Sequence, residues 1–289
     1  MCELPATHQL PLSRWSTAEV AREVRQSGLA AAISDSTVWR GLNQDAIRPW
    51  HHRCWIFPRD RQFARRAGRI LDLHDRVWEG RPLRDDEFVL SADEKTSIQT
   101  RAGLHATLPT QPHSAMKVEQ EYERCGAWAY LAALGVHRAK LFGRCDQKMG
   151  IAAFGRLLAQ VMTQPPYHDA RRVFWIMDNG SSHRGARCVA RLQEKYPALV
   201  PVHGPVHASW LNQVEIYFSI LQREAVTPND FPSLEALEER ILGFQRHYQI
   251  IARPSQWKFT RQDLNALLNK LKTPRLEAVA WQQNTLPNL

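Results

Sequence analysis

The sequence predicts an α/β protein in which a mixed β-sheet is covered by helices and preceded by a small all-α unit. Three observations point there. Strand-like runs cluster near Glu87–Ala92, Thr96–Thr100 and Ala127–Val136. Helix-like and strand-like segments then alternate as far as Tyr248, an order that lays helices on the faces of one sheet. Ahead of them stand two short segments with helix start and stop signals. The 289 residues suffice for one large domain and one small one.

The small unit comes first. Ser16 is placed to cap a helix, with Glu19 at the reciprocal position and Trp15 able to staple onto Val20. Val20, Ala21 and Val24 form the inner face, and Gly28 ends the helix. A second helix starts at Ser34, with Ile33 stapling onto Val38, and runs to about Asn43. Two short helices joined by a turn make a helix-turn-helix, whose second helix enters the major groove in DNA-binding versions. Ser36, Thr37, Arg40 and Asn43 would then face DNA, while Val38 and Leu42 pack inward. An ordinary helical hairpin fits the same pattern.

A basic connector follows, from about Pro49 to Gly80. Arg59, Arg61, Arg65, Arg66, Arg69 and Arg76 crowd it, interleaved with Phe63, Ile70, Leu71 and Val77. That spacing predicts a helix with an apolar stripe and arginines on its other face. Arg65 and Arg66 are candidates for tracking a phosphate backbone; a merely solvated face is the alternative. The large domain is read over 85–289, after a small domain at 1–48 and a connector at 49–84. Its later strands are expected near Val173–Met177 and Leu199–Val202. Helices are expected near Gln147–Thr163, Arg184–Tyr196, Asn212–Glu224 and Ser233–Tyr248. Ala102–Cys125 lacks apolar periodicity and reads as a loop or hairpin near the site.

Composition narrows the function classes. Lys and Arg number 38 against 29 Asp and Glu, a net charge of +9, which favours an anionic partner such as nucleic acid. The cysteines, Cys2, Cys54, Cys125, Cys145 and Cys188, are odd in number and widely spaced. They argue against a zinc ribbon or disulfide framework and fit a reducing cytosol. The longest apolar stretch, around Trp128–Val136, is far short of the roughly 18 residues of a membrane helix. The N-terminus has no secretory-signal pattern.

Three acids carry the chemistry. Asp93 follows the run Phe88–Ala92, Asp178 closes the run Val173–Met177, and Glu215 lies on a helix-like segment with 36 residues between it and Asp178. Carboxylates from distant parts of a chain are what Mg²⁺ or Mn²⁺ requires, because hard cations take oxygen ligands. Two such ions can serve both the attacking and the leaving oxygen of a phosphodiester cut. Glu94, Asn179, His183 and Asn212 stand beside these acids as supporting residues, and His207 opens the segment leading to Glu215. Each piece has a plainer reading. Asp178-Asn179-Gly180 could be only a turn, Asn212 with Glu215 only a helix cap, and Asp93 with Glu94 a solvated pair.

Taken in order, the blocks carry a resemblance. DEKTSIQ from Asp93, DNGSSH from Asp178, HASWLNQVEIYFSILQR from His207 and WKFTR from Trp257 resemble the signature of transposases. The similarity is to the bacterial insertion-sequence branch of the mariner-like superfamily. Many mariner-like relatives carry Pro where Gln213 stands here. The resemblance implies a ribonuclease-H-like fold with Asp93, Asp178 and Glu215 as the catalytic, metal-holding triad. It implies a DNA transposase that binds terminal inverted repeats, cleaves there with two Mg²⁺ or Mn²⁺ ions, and joins the end to target DNA, typically at TA. A homodimer on double-stranded DNA, with no membrane partner, and a cytoplasmic, nucleoid-associated location are further implications. The branch carries two helix-turn-helix units, so this chain, which starts almost at the second, reads as truncated at its N-terminus. Two other functions stay open: a catalytically silent or truncated copy that only binds DNA, and a structure-selective nuclease without strand transfer.

Overall fold

The computed structural model describes residues 5–44, 60–180, 185–206 and 208–271. The chain divides into two compact units, Met1–Phe57 and Pro58–Leu289.

In the first unit, α1 (Thr17–Gln26) and α2 (Asp35–Gln44) follow the local signals. The Ser16 hydroxyl accepts from the Glu19 amide at 3.2 Å, which satisfies one of the orphan N–H groups of the first turn. Past α1, Gly28 takes a left-handed φ of +73°. The Leu29 amide then bonds Val24 O at 3.1 Å and the Gly28 amide bonds Arg25 O at 3.2 Å, the pair of bonds that defines a Schellman stop. Ser34 Oγ accepts from the Thr37 amide at 3.2 Å. Trp15, Val20, Ala21, Val38 and Leu42 form a closed cluster, with Leu10, Val24 and Ile33 at its edge.

The second unit is built on a five-stranded sheet in the order β5-β4-β3-β6-β7. The strands are β3 (Glu87–Ala102), β4 (Glu123–Gly135), β5 (Leu141–Asp146), β6 (Arg172–Met177) and β7 (Leu199–His203). Before them, β1 (Val77–Trp78) and β2 (Arg81–Pro82) make a small ribbon. β3, β4 and β5 pair antiparallel, while β3–β6 and β6–β7 are parallel. The mixed sheet and its helical cover are as the sequence predicted, with three differences. The runs Glu87–Ala92 and Thr96–Thr100 are one strand, bulged between Lys95 and Ile98. β5 had not been expected, because Gly143 and Arg144 break its apolar pattern. A helix over residues 261–271 is also new.

Helices α4 (Ile151–Met162) and α5 (Ala186–Lys195) cover one face, where Phe154, Leu157 and Leu192 pack on Leu90, Leu131 and Trp175. Helices α6 (Val214–Leu221) and α7 (Leu234–Ile251) cover part of the other, over Tyr130, Ala132 and Leu134. α6 is shorter than the expected Asn212–Glu224 and passes into a π-helical turn, Gln222–Val226.

The segment read as a basic connector contributes α3 (Phe63–His74) to this core. Its apolar stripe, Phe63, Ala67, Ile70 and Leu71, packs against Phe174, Ile176 and Leu264. β6 is therefore covered on both faces, which is why its sequence is continuously apolar. The WKFTR block clasps α3. Trp257 meets His74 edge-on at 4.9 Å between ring centres, and Arg261 forks onto Asp72 at 2.9 and 2.5 Å. Among the described residues, no helix is long and apolar enough to cross a membrane.

Candidate active site

The β3–β6 register sets the site. Ser91 pairs with Ile176 in parallel strands, so two residues further along Asp93 comes level with Asp178, which follows the last residue of β6. Neighbouring strands lie about 4.8 Å apart, and level residues point to the same face. That face is the one covered by α6, which carries Glu215 in its first turn.

Electrostatics report the same convergence. Burial, with the charges of Asp178 and Glu215, pushes the Asp93 carboxyl up from 3.8 to about 6, against hydrogen bonds from the Glu94 amide and Asn212. Glu215 is also raised, by burial and by Asp178, with Lys95 pulling it the other way. The Asp178 charge raises the proton affinity of both Asp93 and Glu215, so the three acids form a site with excess negative charge.

A buried network holds α6 against β3. Asn212 Nδ2 donates to Asp93 Oδ2 and to Ala92 O, each at 2.9 Å. The Ser91 hydroxyl donates to Asn212 Oδ1 and accepts from the Val214 amide at 2.8 Å. A strand serine therefore caps α6 from outside the helix, while Gln213 at the N-cap position makes no side-chain cap. This overturns the reading of Asn212 as only a cap: its side chain orients Asp93. Asp178 Oδ1 accepts from the Gly180 amide at 2.8 Å, a local Asx turn. Asn179 Nδ2 donates to Gly204 O at 2.6 Å, joining the loops after β6 and β7. A cavity of about 320 Å³ lies between these loops, lined by Asp178, Asn179, Gly204, Ser209 and Asn212 among others.

Of the remaining expected residues, Glu94 meets Asp93 through its backbone, whose amide donates to Asp93 Oδ1 at 2.8 Å. Its side chain turns to the opposite face of the sheet, beside Leu131, Phe154 and Leu157. This corrects its expected place beside the acids: Asp93 lies inside a strand, where successive side chains alternate. His183 and His207 lie outside the described residues. Ser36, Thr37, Arg40 and Asn43 are all exposed on α2. Arg65 is exposed on α3, while Arg66 pairs with Asp60 at 3.3 Å. Ser91 and Lys95 are the site residues that sequence reasoning missed.

The donor chemistry fits a hard divalent cation, because all three groups are carboxylates and their charges are mutually unfavourable. Among the described residues, no three His, Cys, Asp or Glu side chains stand at metal-holding spacing as they are.

A central strand and its parallel neighbour presenting two aspartates to a helix-borne glutamate define a ribonuclease-H-like domain with a three-carboxylate centre. The family model described as DDE superfamily endonuclease matches residues 89–238, a little over half of the chain and all three acids. The chain belongs to that family. Among solved structures, the mariner Mos1 paired end complex with Mg is 13% identical with a TM-score of 0.54, covering 89% of this chain and 74% of that one. The Mos1 strand transfer complex, also 13% identical, has a TM-score of 0.48 and covers 82% and 69%. The fold is thus mariner-like. No curated protein matches the sequence.

Proposed function

We propose that this chain is a DNA transposase that binds the terminal inverted repeats of its element, cleaves there, and joins the freed 3′-hydroxyl to target DNA. The observation that carries the reading is the meeting of Asp93, Asp178 and Glu215 on one face of the sheet, within a DDE endonuclease match. Asp93 and Asp178 would hold divalent ions from the strands and Glu215 from α6. Two bound Mg²⁺ or Mn²⁺ ions would supply an activated nucleophile and a stabilised leaving oxygen. Asn212 keeps Asp93 Oδ2 turned to the shared face, and Ser91 keeps Asn212 in the orientation that donates. Asn179 fixes the loop that carries Asp178.

On α2, Ser36, Thr37, Arg40 and Asn43 would read base edges, which their exposure supports. Arg65 and Arg66 would contact phosphates, Arg66 exchanging Asp60 for DNA. The mariner neighbour of the same fold was captured as a paired end complex with Mg; a dimer pairing two ends, with TA as target, is proposed here too.

The test is a joining assay. The purified chain is incubated with a plasmid carrying the DNA that flanks its own coding region, a TA-bearing target and Mg²⁺. The reading expects nicks at the repeat ends and joined products. End binding with no cleavage in either Mg²⁺ or Mn²⁺ would instead mark a catalytically silent DNA-binding copy. Cleavage guided by DNA structure, without joining, would mark a nuclease.

A further inference from the structure

Lys95 is a cation on the face that carries Asp93 and Glu215. On β3, Ser91, Asp93 and Lys95 alternate with residues of the opposite face, so all three point toward α6. Their β4 partners agree: Leu134, Ala132 and Tyr130 all belong to the core under α6 and α7. Two strand residues separate Lys95 from Asp93 by about 7 Å along that face. β6 ends at Met177, so Lys95 stands one row beyond the level at which Asp93 and Asp178 sit side by side. The strand changes immediately afterwards. Its register with β4 shifts between Lys95 and Ile98, and Ser97 takes a left-handed φ of +51°. A bulge of this kind re-aims side chains and is common beside active sites. Here it falls just after the lysine, so Lys95 is the last residue of β3 in register with Asp93. Lys95 is half-buried as a residue and makes no hydrogen bond or close ion pair among the described residues. Its charge reaches Glu215.

We propose that Lys95 is a substrate-positioning residue that binds a backbone phosphate of the DNA strand being cut, next to the scissile one. This rests on the DNA-cleaving reading. Three carboxylates repel a polyanion, and a divalent ion bound among them offsets only part of that charge at the point where the strand must enter. A point-charge ammonium one row outward is suited to the neighbouring phosphate. The bulge keeps the rest of β3 from carrying that row on into the DNA path.

The experiment measures binding of a duplex carrying the chain's own flanking repeat, without Mg²⁺, at a series of salt concentrations, and then cleavage on adding Mg²⁺. Lys95→Ala is expected to lower the salt slope of binding by about one. It is also expected to slow cleavage about tenfold to a hundredfold, as for loss of one charge-assisted contact, with the half-saturating Mg²⁺ concentration unchanged. Lys95→Arg should retain the slope. Lys195→Ala, on α5 at the far end of the sheet, is the control and should leave slope and rate alone. An unchanged slope in Lys95→Ala would overturn the proposal, and so would a slope loss equal to that of Lys195→Ala. A raised Mg²⁺ requirement with an unchanged slope would instead show that Lys95 acts through Glu215. If the wild type binds but never cuts, the transposase reading fails, while the slopes still decide whether Lys95 contacts phosphate.

Discussion

Asp93 and Glu215 are both held where their charged forms are disfavoured, and the pH dependence of stability should show it. Asp93 holds its proton to about pH 6 in the folded chain, against 3.8 for an ordinary aspartate. Between those values the folded state binds more protons than the unfolded one, so this group's contribution to stability falls as pH rises. Asp93→Asn removes that dependence. In metal-free protein, the stability of Asp93→Asn relative to wild type should increase from about pH 4 to about pH 6 and then level off. Urea unfolding across pH checks this; a difference that stays constant from acid to neutral would mean that Asp93 is not held among like charges. The acids were legible in the sequence through the ordered motif blocks that hold them, since each alone also fits a turn, a helix cap or a solvated pair. Ser91 was not, since a strand serine carries no sign of a partner 121 residues away. Glu94 was misplaced for a related reason. With the strand taken to end at Ala92, nothing required Glu94 to turn away from Asp93.

The joints between elements explain both the site's rigidity and the gaps in the sequence reading. α6 is fixed to β3 by Ser91, which caps the helix and satisfies Asn212 at once. Ser91→Ala leaves the Val214 amide and Asn212 Oδ1 buried without that partner, a cost of about 1–3 kcal/mol. The expected outcome is a lower urea midpoint with normal end binding, and a cleavage defect larger than the stability loss alone would cause. A variant as stable and as active as wild type would show that the network is incidental. β3 was read as two strands because Asp93, Glu94 and Lys95 interrupt its apolar pattern, with Asp93 and Lys95 facing α6 and Glu94 the other side of the sheet. β5 was missed because of Gly143, yet a Cβ at that position would run into the Tyr130 hydroxyl. The caps of α1 and α2 were legible because they are local, each satisfied within a few residues. On α2, Arg40→Ala should weaken binding to the repeat by about 1–3 kcal/mol more than binding to random DNA if Arg40 meets a base edge. Arg65→Ala combined with Arg66→Ala should weaken both alike and flatten the salt dependence. Competition binding separates the two cases, and equal losses with Arg40→Ala would remove α2 from base reading.

For the whole molecule, a basic chain carries an acidic centre, and the two features suit one substrate. A net charge of +9 draws a polyanion, while the centre that would act on it holds three carboxylates, two of them raised by their neighbours' charges, that a divalent metal would offset. The order of the sheet, with β3 central and β6 parallel to it, makes that centre from residues far apart in sequence. The central claim is that Asp93, Asp178 and Glu215 act as one metal-dependent cutting centre. The most direct measurement is single-turnover cleavage: the chain is bound to its own repeat DNA in Ca²⁺, and the reaction is started with excess Mg²⁺. Wild type should release a 3′-hydroxyl at the repeat end, and only after Mg²⁺ is added. Asp93→Asn, Asp178→Asn and Glu215→Gln should each bind the same DNA and leave it uncut. Cutting at the wild-type rate by any of the three, or cutting by the wild type in EDTA, would contradict the account.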